Sequence, residues 1–499
     1  MARALARPLP WLAAVAAAFT LVQLVLVVPG LGLGWDETVY VSQVSPQAPA
    51  AFFSAPRARG VTVLVAPLTA VTTSTLALRV YLAVLSGCGL FGALWVWRRL
   101  LPTPVLTVAG ALFASLWITL FYGPQVMPNL WVAYGALVAA GCFLRAVRRP
   151  GDRRALVGVA AGVALAALMR PTDAVWLALP LAAAALLMTR TRRRLLLLLV
   201  LAAGLALGSA EWVVEAYVRY DGLFARLRRA SDIQGHLGAY FAVDDHVRAL
   251  GGRILCRPCD VSWRHPVASA WFFALPVLVA GGVGAAARTR HRAGIVLAAG
   301  TGLALAVPYL FTVGYAAPRF LLPAYALLSL PVAQCLVGVW RVRPRWRAVA
   351  VALLGVVTVA HLVVQYQVLD GVAGRVRADT TAHTRIAAEL RAQGVRPPCV
   401  ITGEEAVRVA FRTGCSSRQP AGHDVSITST GLAAAARQRP VAVLLSGDRR
   451  PPAYARRWHV LPLPDLRNRT DYRAYLSPTA LSPTAFPLSG RRAEPVAER

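Results

Sequence analysis

Two adjacent carboxylates stand in Gly34-Trp35-Asp36-Glu37-Thr38-Val39-Tyr40, just past the apolar run Trp11 to Val28. That run has about the length that crosses a bilayer, so Asp36 and Glu37 fall at or just beyond a membrane surface. An ionisable pair is costly to retain there without a task. A carboxylate so placed can take a proton from a hydroxyl. The plainer reading is a solvated pair at a helix N-terminus, where negative charge is favoured. Two arginines stand out for the same reason of place. One lies in Met169-Arg170-Pro171-Thr172-Asp173, the other in Gly314-Tyr315-Ala316-Ala317-Pro318-Arg319-Phe320-Leu321-Leu322-Pro323. Arginine's planar donor fork suits a phosphate that must be held while its ester bond breaks. The competing reading is that both side chains snorkel to lipid head groups. An acid on one side and guanidiniums on the other would deprotonate an acceptor hydroxyl and stabilise a leaving phosphate.

These residues need a membrane-spanning scaffold to position them. The chain of 499 residues is 57% hydrophobic, too apolar for a soluble protein of that length. Its formal charge is +31, and every basic side chain is arginine. The arginines cluster in short groups between apolar runs, so the positive-inside rule explains the charge and no nucleic-acid partner is implied. Hydropathy predicts about eleven spans, near 9–30, 76–97, 104–122, 128–146, 155–170, 174–189, 194–213, 267–287, 293–313, 319–340 and 346–366. The two flanking Arg170 are short and could instead form a re-entrant pair. Basic clusters at Arg3/Arg7, Arg98/Arg99, Arg145 to Arg154, Arg190 to Arg194, Arg288 to Arg292 and Arg341 to Arg347 all fall on one side of this path. The expected topology is a multi-pass cell-membrane protein with a cytoplasmic N-terminus. Met1 to Val28 then reads as an uncleaved signal anchor.

Outside the membrane this path places the Asp36 loop, the segment Pro124 to Asn129, the turn after Arg170, the loop 214–266, the turn Tyr315 to Arg319 and the C-terminal part. Ser45 to Pro56 reads as irregular. Tyr220 to Arg229 fits either a helix on the lipid surface or a loop helix packed on the bundle. After Tyr366 the composition turns polar. Thr381 to Gln393, Glu404 to Arg412 and Leu432 to Arg437 read as helices, and Cys399 to Thr402, Val441 to Leu445 and Trp458 to Leu461 as strands. The expected organisation is a transmembrane domain at 1–369, a small α/β domain at 370–476 and a disordered tail at 477–499. Of seven cysteines, Cys88, Cys142 and Cys335 fall inside spans. Cys256, Cys259, Cys399 and Cys415 fall outside, which suggests the disulfides Cys256–Cys259 and Cys399–Cys415. A redox-active or zinc-binding Cys256-x-x-Cys259 is the alternative.

With these motifs in view, the chain resembles the GT-C fold membrane glycosyltransferases, which include the dolichyl-phosphate-mannose protein mannosyltransferases and the lipid A aminoarabinose transferases. Trp35-Asp36-Glu37-Thr38-Val39-Tyr40 is similar to the Asp-Glu motif of that family's first outer loop. Met169-Arg170-Pro171-Thr172-Asp173 resembles its Arg-Pro-Thr segment, and Pro318-Arg319-Phe320-Leu321-Leu322-Pro323 its Arg-Tyr/Phe-Leu-x-Pro segment. The resemblance covers about residues 9–366. It implies an all-α polytopic protein that transfers a sugar, with inversion, from a polyprenyl-monophosphate donor to an extracytoplasmic protein, glycan or lipid. Asp36 would be the base, and Glu37 a neighbour that positions it or binds acceptor or metal. Arg319 and Arg170 would contact the phosphate, with Tyr40 and Tyr315 beside the substrate. Many relatives carry a second acid in the next outer turn. This chain has Tyr122-Gly123-Pro124-Gln125-Val126-Met127-Pro128-Asn129 there, so Gln125 or Asn129 would have to substitute. That leaves open a divalent cation such as Mg2+ or Mn2+. His236, Asp244, Asp245 and His246 could bind one, but their spacing fits no standard ligand set. Two other classes compete. A transporter or flippase would carry broken helices near mid-membrane and internal repeats, which are not seen here. A non-catalytic envelope scaffold would tolerate replacement of Asp36.

Overall fold

The computed structural model describes residues 8–481, apart from 258, 260, 261, 264 and 342. Arg3 and Arg7 lie outside the described residues. Apolar runs with no water to bond their backbone close their hydrogen bonds internally, and so become helices. In chain order these are α1 (Pro8–Val22), α2 (Trp35–Ser42), α3 (Gly60–Thr69), α4 (Thr75–Trp95), α5 (Thr103–Ser115), α6 (Trp117–Tyr122), α7 (Asn129–Arg148) and α8 (Arg153–Met169). There follow α9 (Pro171–Met188), α10 (Thr191–Arg219), α11 (Leu223–Ile233), α12 (Val243–Ala249), α13 (Ala270–Ala286), α14 (Arg292–Phe311), α15 (Leu322–Val337) and α16 (Pro344–Ala392).

All eleven apolar runs are helical. Among the described residues, nine helices are long and apolar enough to cross a membrane, so the expected count of eleven is not reproduced. The two that fall short are α5, with 13 residues, and α8, with 17. The run expected at 104–122 breaks at Leu116, whose extended backbone separates α5 from α6. The Asp36 loop is not open coil: it carries α2 and α3, joined by the irregular stretch after Ser42.

The chain divides into two compact units. One comprises Met1–Val44 and Phe53–Ala378, the other Ser45–Phe52 and Asp379–Arg499. The compositional change after Tyr366 does not end a helix, because α16 runs on unbroken to Ala392. The second unit also takes in the loop around Gln47, whose Nε2 donates to Phe411 O at 3.0 Å. Its sheet has five strands, β1 (Val400–Gly403), β2 (Ser416–Ser417), β3 (Val441–Leu445), β4 (His459–Pro462) and β5 (Arg473–Leu476), in the order β2-β1-β3-β5-β4. The first three are parallel, and β5 runs antiparallel to both its neighbours. Ile386, Leu390, Ile401, Val409, Leu444 and Leu476 fill the core on one face. The helices α17 (Ala406–Thr413) and α18 (Ser429–Ala435) complete the unit. The tail expected at 477–499 begins ordered, since Ser477 N–H donates to Val441 O at 3.0 Å and Val441 N–H to Ser477 Oγ at 2.9 Å. The rest, from 482, lies outside the described residues.

Candidate active site

Gly34 caps the N-terminus of helix α2, and Glu37 in its first turn accepts the Gly34 N–H at 2.9 Å through Oε2. That is the return half of a capping box, and it fixes where the turn begins. Glu37 is buried and saturated. Oε1 accepts from the Val126 N–H at 2.7 Å, and both oxygens accept from the Arg79 guanidinium. Arg79 is fully buried near the start of α4. Its five donors are all used, on Glu37 and on the carbonyls of Leu31, Gly32 and Pro124. One ion pair therefore ties together the loop before α2, helix α4 and the turn before α7. No oxygen of Glu37 remains for an acceptor or a metal.

Asp36, the preceding residue, keeps 34% of its side chain exposed. Its Oδ1 accepts from Arg57 Nη2 at 2.7 Å and its Oδ2 from Arg319 Nη2 at 3.0 Å. Burial raises the carboxyl's pKa, but the attraction of Arg57 and Arg319 outweighs it and holds Asp36 below its usual value. Arg319 also donates to Ile254 O at 3.2 Å, while its buried Nε–H has no acceptor. Arg170 lies 5.5 Å from the Tyr309 ring centre and 5.3 Å from that of Phe320. Its Nε is 3.3 Å from Asp173 Oδ2, and Tyr309 O–H donates to the other oxygen of Asp173. Three guanidiniums thus face two carboxylates, and the cluster keeps one positive charge in excess.

The remaining expected residues are placed as follows. Tyr40 lies under Arg57, 5.1 Å from ring centre to guanidinium carbon. Tyr315 stacks edge-on against Phe320 and carries Arg257 over its face at 4.7 Å. Gln125 turns away to donate to Phe121 O at 2.9 Å. Asn129 is fully buried, with no partner for either amide atom. Cys256 is bridged to Cys259 and Cys399 to Cys415. The first bridge backs the site, because Cys256 and Ala316 exchange backbone hydrogen bonds beside the Arg319 segment.

The donor set does not fit a divalent cation. Both Asp36 oxygens face arginines, Glu37 is saturated, and no group of three His, Cys, Asp or Glu able to hold an ion occurs among the described residues. The four loop residues do not converge either. Asp244 pairs with Arg248 at 2.6 Å, His236 sits 3.4 Å from Asp232, and burial lowers the pKa of His246 to about 4.

Sequence reasoning missed Arg57, Arg79 and Arg226. Arg226 is fully buried in α11 and packs over Trp212 and Tyr220. It donates to Ala55 O, Trp212 O, Arg57 O and Glu215 Oε2. Glu215 also binds Arg59 at 2.7 Å, so this network presents the loop that carries Arg57.

No family model and no curated protein matches the chain by sequence. Solved structures do match in shape. The aminoarabinose transferase ArnT from Cupriavidus metallidurans, bound to undecaprenyl phosphate, superposes with a TM-score of 0.63 at 14% identity, over 95% of this chain and 98% of that one. Its apo form gives 0.64 at 14% identity, over 94% and 98%. The chain has the GT-C fold. The oligosaccharyltransferase AglB from Archaeoglobus fulgidus, in complex with an inhibitory peptide and a dolichol-phosphate, shares that fold with a TM-score of 0.50 at 13% identity, over 82% of this chain and 64% of that one. In the GT-C frame seen here, Asp36, Arg57, Arg170 and Arg319 come from four separate segments and form one charge cluster.

Proposed function

We propose that the protein is an integral membrane glycosyltransferase. It moves a sugar from a polyprenyl-monophosphate donor to the hydroxyl of an extracytoplasmic acceptor, with inversion at the anomeric carbon. The observation that carries this reading is Asp36 gripped by Arg57 and Arg319 in a cluster with an excess positive charge. The shared fold supports it, since ArnT was solved with undecaprenyl phosphate and AglB with a dolichol-phosphate and a peptide.

In the free protein Asp36 is a poor base, because two cations stabilise its charge. The donor phosphate competes for those same guanidiniums. Arg57, Arg319 and Arg170 turn to its oxygens, and the unused Nε–H of Arg319 is a ready donor. Asp36 then loses its ion pairs and gains an anionic neighbour, and both changes raise its pKa. The acceptor hydroxyl oxygen bonds to the anomeric carbon and its proton passes to an Asp36 oxygen. The bond from the anomeric carbon to the phosphate oxygen breaks, and its electron pair stays on that oxygen. The arginines stabilise the charge left there. Glu37 exchanges no proton and sets the position of Asp36 through α2.

The test is release of polyprenyl phosphate from polyprenyl-phosphate sugars by the purified protein. Asp36→Asn is expected to lower turnover by about 10²-fold or more, the range for loss of a general base, with folding and membrane insertion unchanged. Turnover equal to the parent's would refute the reading. A pH profile adds a second arm. The acid limb of kcat/KM, which reports the free enzyme, falls below the usual aspartate pKa, and that of kcat lies at higher pH. Coincident limbs would rule out exchange of the arginines onto the phosphate.

A further inference from the structure

Helix α11 packs on the bundle by one face only. Arg226 and Ala230 are buried, while Phe224 is 78% exposed and Leu227 40%. Successive residues turn by about 100° around a helix. From the midline between Arg226 and Ala230, Leu223, Leu227 and Phe224 fall on one flank, and Asp232 and Arg229 on the other, with Arg228 opposite the bundle. Ser231 also lies on the apolar flank, but its Oγ is turned to its own loop and accepts the Leu237 N–H at 2.9 Å. The helix thus has a face against protein, an apolar flank and a charged flank. A helix lying in the boundary between hydrocarbon and head groups has this pattern.

Two spans fix the depth of the apolar flank. Helices α10 and α14 are both long and apolar enough to cross a membrane, and each begins at its arginines. Helix α11 follows the far end of α10 after the turn Tyr220-Asp221-Gly222. The exposed apolar surface of α10 runs through Val214, Tyr217 and Val218 towards that end, and Phe224 resumes it. After α11 the chain returns to the far end of α14, where the N–H groups of Gly238, Tyr240 and Ala242 donate to the carbonyls of Thr312, Phe311 and Leu310. There the exposed Phe241 packs on the exposed Phe311, with ring centres 6.1 Å apart. The helix is suspended between the ends of two spans, at the level where hydrocarbon gives way to head groups.

The protein face of the same helix reaches the charge cluster. Arg226 Nε donates to Ala55 O and its Nη2 to Arg57 O, both at 3.1 Å. Arg57 in turn donates to Asp36 at 2.7 Å. We propose that α11 is seated in the head-group boundary of the leaflet on the Asp36 side, and that this seat, through Arg226, fixes the loop that presents Arg57 to Asp36. The occupant of the apolar flank is bilayer lipid, not a second chain. The proposal goes beyond the transfer reading and does not rest on it.

Spin labels on the full chain in dioleoylphosphatidylcholine nanodiscs test the seat, with Cys88, Cys142 and Cys335 replaced by alanine and both bridges kept oxidised. A nitroxide on Phe224→Cys is expected to collide more often with oxygen, which concentrates in hydrocarbon, than with a water-soluble nickel chelate. On Asp232→Cys that preference should reverse. Equal nickel access at the two positions overturns the proposal by leaving the helix in water. Shielding of the Phe224→Cys label from both reagents overturns it by putting protein there. Amide exchange tests the coupling. Phe224→Ser with Leu227→Ser, and separately Arg226→Lys, are each expected to speed exchange in residues 54–59 by about two- to tenfold, the scale of one net hydrogen bond. Exchange in α4 should stay as in the parent. All three substitutions together should add little, because they act through one contact. Unchanged exchange in the folded Phe224→Ser, Leu227→Ser protein, or losses that add in the triple variant, would sever the seat of α11 from the Arg57 loop.

Discussion

In the proposed reaction Asp36 can serve as a base only if something else holds α2 in place when its arginines leave. The Glu37–Arg79 pair has that role. It is buried, every lone pair and every N–H is used, and its three backbone carbonyls come from the two segments that flank the site. Removing one partner strands a charge, which costs about 3–5 kcal/mol. Arg79→Leu and Glu37→Leu are each expected to lower the unfolding midpoint in detergent sharply. The double variant is expected to regain part of that loss, because an apolar pair leaves no charge stranded. Additive losses in a double-mutant cycle would mean that the pair is not coupled. Asp36, Arg170 and Arg319 were legible in the sequence because each charge sits beside an apolar run with no topological reason to be there. Arg79 carries the same signal, a lone charge inside the span at 76–97. Arg57 and Arg226 carried none: they are two arginines among many in polar loops, and only the fold brings them to Asp36 and Glu215.

Among the elements, those with clear periodicity were legible and those set by tertiary pairing were not. Strand β3 has the expected limits, since Val441–Leu445 is a continuous apolar run. Strands β2 and β5 were missed, because two serines and an Arg-Ala-Tyr-Leu segment have no strand signature apart from their neighbours. The unbroken α16 was also hidden, since its composition changes where it leaves the apolar layer. Between β1 and α17 the chain turns through Glu405, whose φ of +57° is costly for a side chain. Ion pairs hold it there. Glu405 Oε2 accepts from Arg408 at 2.7 and 2.9 Å and lies 3.8 Å from the ring of the buried His383. Burial alone would raise the Glu405 pKa, but the nearby His383 ring and the Arg408 guanidinium bring it down to about 2. A depressed pKa contributes stability that is complete above the unfolded value of 4.5 and is lost as pH falls towards 2. The second unit should therefore lose on the order of 3 kcal/mol over that window. Faster amide exchange in Val400–Gly403 at pH 3 than the intrinsic rate change allows would register this, and Glu405→Gln should flatten it. PH-independent protection would remove the ion pairs from the account.

At the scale of the whole molecule, the arginines outside the site have a different task. Arg98, Arg99, Arg148, Arg149, Arg192, Arg193, Arg290 and Arg292 stand at one set of helix ends. Asp36, Arg57, Arg170 and Arg319 stand at the opposite set. An excess of arginine in short loops marks the cytoplasmic side, and on that ground we propose that the Asp36 cluster faces away from the cytoplasm. That orientation has a chemical consequence. A polyprenyl-phosphate sugar used on the far side meets no nucleotide-sugar pool, so its sugar must already be activated through the lipid phosphate. An impermeant maleimide separates the two faces in intact cells of a Cys88→Ala, Cys142→Ala, Cys335→Ala background. With the four bridged cysteines oxidised, Val71→Cys, in the exposed turn after α3, is expected to label at once. Gly151→Cys, in the exposed turn between α7 and α8, should label only after permeabilisation. The reverse pattern would put Asp36 in the cytoplasm, where the arginine bias and the proposed acceptor could not both be right.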